Sequence, residues 1–259
     1  MRLSLPAGDR ASRHFPLLLA AVAALALGGA TACNGGDTLT EADAEAIAAE
    51  ALLVVGDLPV GSWDEQESQP ALGELFGDTG DLGESLGTEF PAECDGLLAA
   101  ITDLASIVGD REPLAVALRS FTSGSELFEV GAIASSVLVF AAADRASDAL
   151  DALDEALDAD RLEACVLATA DLGEGEGFQI TDFKLSRPDY ALDGSVALRL
   201  EIRAVALILP IAVDVDLHAF QRDHVLAILL SAAINGDHDD EADAALLDTF
   251  EDRVVDAQN

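Results

Sequence analysis

Three cysteines, four histidines and 49 acidic residues are the side chains of this 259-residue chain best able to react, bridge or hold a metal. The cysteines are Cys33, Cys94 and Cys165. Neither Cys94 nor Cys165 has a second cysteine or a histidine at zinc-ligand spacing, so a zinc site is not expected. Of the histidines, His14 lies near the N-terminus, and His218 and His224 flank a predicted hairpin turn. His238 falls in Asn235-Gly-Asp-His-Asp-Asp-Glu241, the most metal-like string in the chain. Its donors lack the spacing that would gather them on one helix face, and it lies between a strand and a helix, where a polar turn is expected. Asp78, Asp81 and Glu84 invite a calcium reading, but the EF-hand pattern of aspartates before a central glycine is absent. There is no Gly-x-Ser-x-Gly elbow, no P-loop and no dinucleotide fingerprint. Carboxylate pairs are so frequent that none marks glycosidase chemistry. The expectation is no catalytic residue, no metal site and no cofactor.

The N-terminus carries a different kind of signal. Arg2, Arg10 and Arg13 precede an apolar run from Leu17 to Leu27, followed by Gly28, Gly29, Ala30, Thr31, Ala32 and Cys33. A positive flank, a short apolar core and small residues before a cut are the features of a secretory signal. The run is too short for a confident membrane span. Ala30-Thr31-Ala32-Cys33 resembles the lipobox of bacterial lipoproteins, although alanine stands where leucine is usual. That resemblance implies removal of residues 1–32 and a diacylglycerol on Cys33. The protein would then sit on the outer face of the cell membrane, with residues 33–39 as a tether. The alternative is an ordinary signal peptide cut near Ala32, with Cys33 incidental. Export leaves Cys94 and Cys165 as an even pair in an oxidising compartment, where a disulfide is the natural reading. Closing about 70 residues, it would contribute roughly 4 kcal/mol on the chain-entropy picture. Two buried free thiols are the other reading.

Charge excludes whole classes of partner. The chain has 13 basic residues and a formal net charge of −36. Without the leader's three arginines and one aspartate, 10 basic and 48 acidic residues remain, a net of −38. Such a surface repels nucleic acid phosphates and offers no basic patch to an anionic bilayer. The carboxylates serve solvation, as in a saline habitat, or the capture of cations or cationic ligands.

The elements that would position any site follow from periodicity. Thr38–Val55 reads as a helix capped by Thr40, with Asp43 completing a capping box, apolar residues at three- and four-residue spacing, and Gly56 as its stop. Asp57-Leu-Pro-Val-Gly-Ser-Trp63 is an abrupt turn holding the only tryptophan. Residues 64–91 are acidic and glycine-rich, a long loop or insert. Cys94–Ile107 is a short helix, and Leu114–Thr122 and Leu127–Phe140 are strands. Asp144 caps a helix with Ala146, Ala149, Leu150, Leu153 and Leu157 on its apolar stripe. Phe178–Leu185 is a strand, and strict alternation marks strands from Val196 and from Ile211, with Val225–Ile234 returning after the Gln221–His224 turn. Ala212, Asp214, Asp216 and His218 should face water. A final amphipathic helix runs from Asp239 to Ala257. Residues 40–259 are therefore expected to form one α+β domain, an antiparallel sheet with helices packed on one face.

Several of these pieces together resemble a known family. The lipobox, Ala51-Leu-Leu-Val-Val-Gly-Asp57-Leu-Pro-Val-Gly-Ser-Trp63, a cysteine opening a helix, and Ser135-Ser-Val-Leu-Val-Phe140 before an alanine-rich helix ending at a second cysteine are similar to actinobacterial-type lipoproteins. Those carry a sensor-like domain related to the extracellular domain of PknH-type receptor kinases. The resemblance spans roughly residues 40–257. It implies a twisted antiparallel sheet and a cleft for an unidentified ligand. This chain departs from the pattern in offering one cysteine pair rather than two, and in the extra Ser62 of its Leu-Pro-x-Gly-Trp segment. No residue role carries over.

The resulting expectation is a membrane-anchored, non-catalytic ligand-binding or sensor-like lipoprotein. Its partners would be the membrane through the lipid, an unknown small molecule or protein, and no nucleic acid. The alternative is a carrier of a lipid or other apolar ligand. A ligand is expected between the sheet and the Asp57–Trp63 turn, with Trp63 as its contact; otherwise Trp63 is a core residue.

Overall fold

A computed structural model of the chain describes residues 39–66, 113–126, 129–157, 160, 162–165, 168, 178–206, 209–236 and 239–259. The leader, Cys33, Cys94, the predicted helix at 94–107, most of the 64–91 stretch and His238 lie outside the described residues. The elements are α1 (Glu41–Ala51), a short 3-10 turn (Val55–Asp57), β1 (Asp64–Glu65), β2 (Ala115–Glu126), β3 (Glu129–Val139) and α2 (Ala143–Ala156). They continue with β4 (Phe178–Ser186), β5 (Val196–Ala206), β6 (Leu209–Arg222), β7 (Val225–Ile234) and α3 (Asp240–Asp256). The seven strands form one sheet in the order β1-β2-β3-β7-β6-β5-β4. Every neighbouring pair is antiparallel. The chain is thus an α+β fold on an antiparallel sheet, as its alternating strands predict.

The helices are not gathered on one face. Residues opposite one another in an antiparallel ladder share a face, and their chain neighbours take the other. Val137 pairs with Ala227, which pairs with Phe220. This face meets α1 through Ala44, Ala48 and Ala51, and α3 through Leu246, Leu247, Phe250 and Val254. Leu138 pairs with Leu226, and that opposite face meets Ala146, Ala149, Leu153 and Ala156 of α2. The expectation of helices on one face is corrected to helices on both. The reason lies in β3 and β7, whose apolar residues occupy both parities, so neither face of the sheet's centre can be left to water.

Two boundaries move for identifiable reasons. Thr40 and Asp43 do form the reciprocal capping box of α1. The helix then ends at Ala51, not at Gly56, because the sheet takes over the backbone of Leu53. Leu52 is extended, Leu53 N–H donates to Ser135 Oγ at 3.4 Å, and Leu53 C=O accepts from Arg119 at 3.0 Å. Asp144 is not a cap. Ala142 occupies that position without a side-chain bond, and Asp144 lies in the first turn, facing the positive end of the helix dipole.

β6 departs most from expectation. Asp214, Asp216 and His218, predicted to face water, are buried, with Asp216 at 0% and His218 at 2% exposure. Period-two alternation assigns them correctly to one face of the strand. That face is covered here by α3 and by the β4–β5 connection, whose Tyr190 and Leu192 pack against the core and whose Tyr190 ring lies 5.2 Å from that of His218.

Candidate functional site

The segment leaving α1 is tied down at both ends. Val54 N–H donates to Asp57 Oδ2 at 2.8 Å, and Arg253 of α3 holds the same oxygen at 2.6 Å. Beyond it, Asp64 and Glu65 pair with Thr122 and Phe121 of β2, and Arg119 bridges to Glu65 at 3.1 Å. Between these anchors Trp63 Nε1 donates to Pro59 C=O at 2.9 Å, closing the 59–63 loop on itself. The indole settles over Gly131 of β3. A Cβ at that position would stand 3.2 Å from Trp63 Cη2 and 2.6 Å from Ser123 Oγ, so any larger residue would force the serine to rotate and the indole to give way. Trp63 is half-buried and also packs against the α1/α3 core, so it is at once a core contact and a surface residue.

Opposite the loop, the chain turns sharply out of β7. Asn235 adopts φ 54°, in the left-handed region that asparagine tolerates. Its N–H donates to Ala212 C=O, and its Oδ1 accepts from Ala212 N–H, both at 2.8 Å. Asp239 then caps α3, its carboxylate accepting from the N–H groups of Glu241 and Ala242 at 3.1 and 3.3 Å. The acidic string around His238 is thus partly accounted for: Asn235 and Asp239 bond to backbone. Among the described residues no group of three His, Cys, Asp or Glu side chains is placed to hold a metal ion.

Loop, sheet and helix enclose a groove of about 370 Å³. One wall is Pro59, Gly61, Ser62 and Trp63; the floor includes Ser123, Gly131, Ile133 and Ser231; the far wall is Gly236, Asp239, Ala242 and Asp243. This is the cleft between sheet and turn where Trp63 was anticipated. The helix wall and the sheet serines were not anticipated, since Ser123 lies about 60 positions from Trp63 in sequence and Ser231, Asp239 and Asp243 lie farther still.

A charged cluster lies on the same sheet face. Arg199 of β5 is opposite Asp216 of β6 and grips it with two bonds, Nε to Oδ1 at 2.8 Å and Nη2 to Oδ2 at 2.6 Å. The same guanidinium reaches Asp240 on α3 at 2.7 Å, and Tyr190 donates its hydroxyl to Asp216 Oδ2. Arg199 also lies over the Tyr190 ring, 5.6 Å from its centre. Burial raises the Tyr190 pKa well above the tyrosine range, and its hydrogen bond to Asp216 raises it further. The hydrogen bond to Asp216 raises that of Arg199, against the cost of burial. Arg199 thus ties β6 and α3 together through one guanidinium. Opposite charges on two consecutive strands were the available signal: Arg199 directly faces Asp216, and Arg203 reaches Asp214 diagonally.

Among solved structures, the extracellular domain of PknH from Mycobacterium tuberculosis is similar at the level of fold. It is 13% identical, with 86% of this chain and 100% of that chain covered and a TM-score of 0.45. No family model matches the chain, and no curated protein matches it in sequence. Similarity this weak assigns no ligand and no residue role.

The remaining sites expected from sequence divide between described and undescribed residues. Cys165 is buried, whereas its expected partner Cys94 and the lipidation candidate Cys33 lie outside the described residues. His224 stands beside Asp223 in the β6–β7 turn at 3.7 Å. Among the described residues no helix is long and apolar enough to cross a membrane.

Proposed function

We propose that this chain is an extracytoplasmic, lipid-anchored binding domain that captures a small ligand in the Trp63 groove without chemically altering it. The groove is the observation that carries this reading. Its volume falls within the range of small-ligand pockets, and its walls come from three separate elements held by specific bonds, so it is built before any ligand arrives. Its lining offers an aromatic face, hydroxyls and carboxylates, but no histidine, cysteine or lysine among the described residues. Asp239 is taken up in capping α3, and an aromatic wall with a few hydroxyls is the lining that small-ligand sites use for contact and orientation, which supports recognition.

The carrier reading has less support. An apolar cargo needs a hollow between sheet and helix, and the face under α1 and α3 is filled by Phe121, Phe220, Phe250, Leu246 and Leu247, all fully buried. Anchoring is proposed from the leader and Cys33 alone. Cys33→Ala should release the protein from membranes or block its processing. An intact mass with an unmodified N-terminus other than Cys33 refutes the anchor.

The binding reading is tested on the full chain in a nonionic detergent, by thermal shift with a small-molecule panel followed by fluorescence. Trp63 is the only tryptophan, so every change in indole emission reports on the groove. A ligand that raises the melting temperature should also shift that emission, and should lose affinity in Trp63→Ala. Catalytic turnover of a panel compound that maps to a residue of this chain would overturn the non-enzymatic reading.

A further inference from the structure

Resting on that reading, the lining also points to a ligand class: we infer that the groove selects a small organic cation, an ammonium with an attached hydroxyl. Three observations meet here. First, the charged side chains lining the groove are Asp239 and Asp243, with no lysine, arginine or histidine among the described lining residues. Second, the amino end of α3, which would ordinarily attract an anion, is already satisfied. The Asp239 carboxylate takes the N–H groups of Glu241 and Ala242, and Asp240, Glu241 and Asp243 crowd the same turn. An anionic ligand would meet carboxylates where it needs donors. Third, Ser231 is 7% exposed and lines the groove, and among the described residues its hydroxyl has no hydrogen-bond partner. The hydroxyl opens to the groove, where water or the hydroxyl of an entering ligand can pair with it.

Trp63 supplies what distinguishes an organic cation from a metal ion. Its ring is the large apolar surface of the groove, held by the bond to Pro59 and by contact with Gly131. A methylated ammonium is weakly hydrated and is attracted to an indole face by the ring quadrupole. A bare metal ion would need a full set of oxygen ligands, which two carboxylates and a serine do not provide.

Choline is the probe, titrated into the full chain while Trp63 emission is followed. Its neutral isostere, with carbon in place of the quaternary nitrogen, methyl glucoside and acetate serve as controls. Saturable quenching by choline is expected, with the isostere weaker by about tenfold; in Trp63→Ala, which has no tryptophan to report, titration calorimetry should show choline affinity lower by about tenfold, the scale of one partly desolvated cation–π contact. Asp243→Asn should weaken choline several-fold and leave the isostere unchanged, which keeps the test open if Trp63→Ala fails to fold. Circular dichroism identifies that case. Equal binding of choline and the isostere, or preference for the glucoside or acetate, overturns the cation inference while the groove remains a binding site. If choline gives no saturable change but another panel compound does, the cation inference likewise falls alone. If no compound perturbs Trp63, the binding proposal falls with it.

Discussion

One face of the sheet is used in two ways. Over β2, β3 and β7 it is hydrocarbon, with Phe121, Val137, Ala227 and Leu229 under α1 and α3. Over β5 and β4 it is a ladder of opposite charges: Arg199–Asp216, Arg203–Asp214 and Lys184–Glu201. The ladder grades from inside to outside. Asp216 is fully buried beneath α3, whereas Lys184 at the edge is 60% exposed. Arg199–Asp216 and Lys184–Glu201, both cation–carboxylate pairs at directly facing positions, should therefore differ severalfold in worth. What sets the difference is whether water can replace a lost partner.

The largest effect is expected at the buried end. Arg199→Met removes the partner of a carboxylate that water cannot reach and should cost about 3–5 kcal/mol of unfolding free energy. Adding Asp216→Leu should recover most of that loss, because no buried charge then remains unpaired. Urea denaturation of the full chain measures both. A single-mutant cost below about 1 kcal/mol would put Asp216 in the class of solvated surface pairs and erase the comparison.

The same cluster predicts an alkaline limit. Unfolded, Tyr190 ionises at its ordinary value of 10.0; folded, burial and then its bond to Asp216 hold the proton on to higher pH. The folded state therefore binds more protons than the unfolded state above pH 10. Stability from this group is complete below that pH and falls as pH rises through it. Because the chain has one tyrosine, phenolate absorbance reports on it alone and should appear only with unfolding. Reversible ionisation near the ordinary value in folded protein contradicts the burial described here.

A smaller effect is expected at the groove. Gly131→Ala places a methyl against Ser123 Oγ and the Trp63 ring. The serine can rotate away but the pinned indole has less room, so about 1–3 kcal/mol is expected, together with a shift in Trp63 emission. Loss of stability without any change in emission would mean that the serine alone absorbs the contact.

The hydrocarbon half of the face was largely legible from sequence and the groove only in part. Alternation in β5 and β6 is strict enough to place every side chain on a face, and Thr40 with Asp43 announces the start of α1. Alternation cannot tell which stretch of a face another element will cover, so Asp216 and His218 passed for solvent-facing residues. Trp63 and the turn before it were visible as punctuation. Ser231, Asp239 and Asp243 join them only because Asn235 reverses the chain at the end of β7 and brings α3 across the sheet.

The smallest effect belongs to Lys184, and it separates local from global electrostatics. Lys184 Nζ meets Glu201 Oε1 at 2.8 Å on the exposed rim. Such a pair contributes under about 1 kcal/mol, because water solvates either partner once the other is removed. Yet Lys184 is also the only lysine on a chain of net charge −36, and its removal deepens the general repulsion by one unit. Salt acts on both contributions in different ways. It weakens the Lys184–Glu201 attraction, and it screens the repulsion among all carboxylates, since the Debye length shrinks from about 10 Å at 0.1 M to about 3 Å at 1 M. The full chain should therefore melt at rising temperature as NaCl is added to molar levels. Lys184→Met should melt slightly lower at low salt and converge on the parent as salt increases. A gap that persists at molar NaCl would show that the lysine stem packs against its neighbours, so that the edge pair resembles the buried one more than its exposure implies. A parent melting temperature that falls with salt would show that specific ion pairs such as Arg199–Asp216 outweigh the repulsion of the surrounding carboxylates.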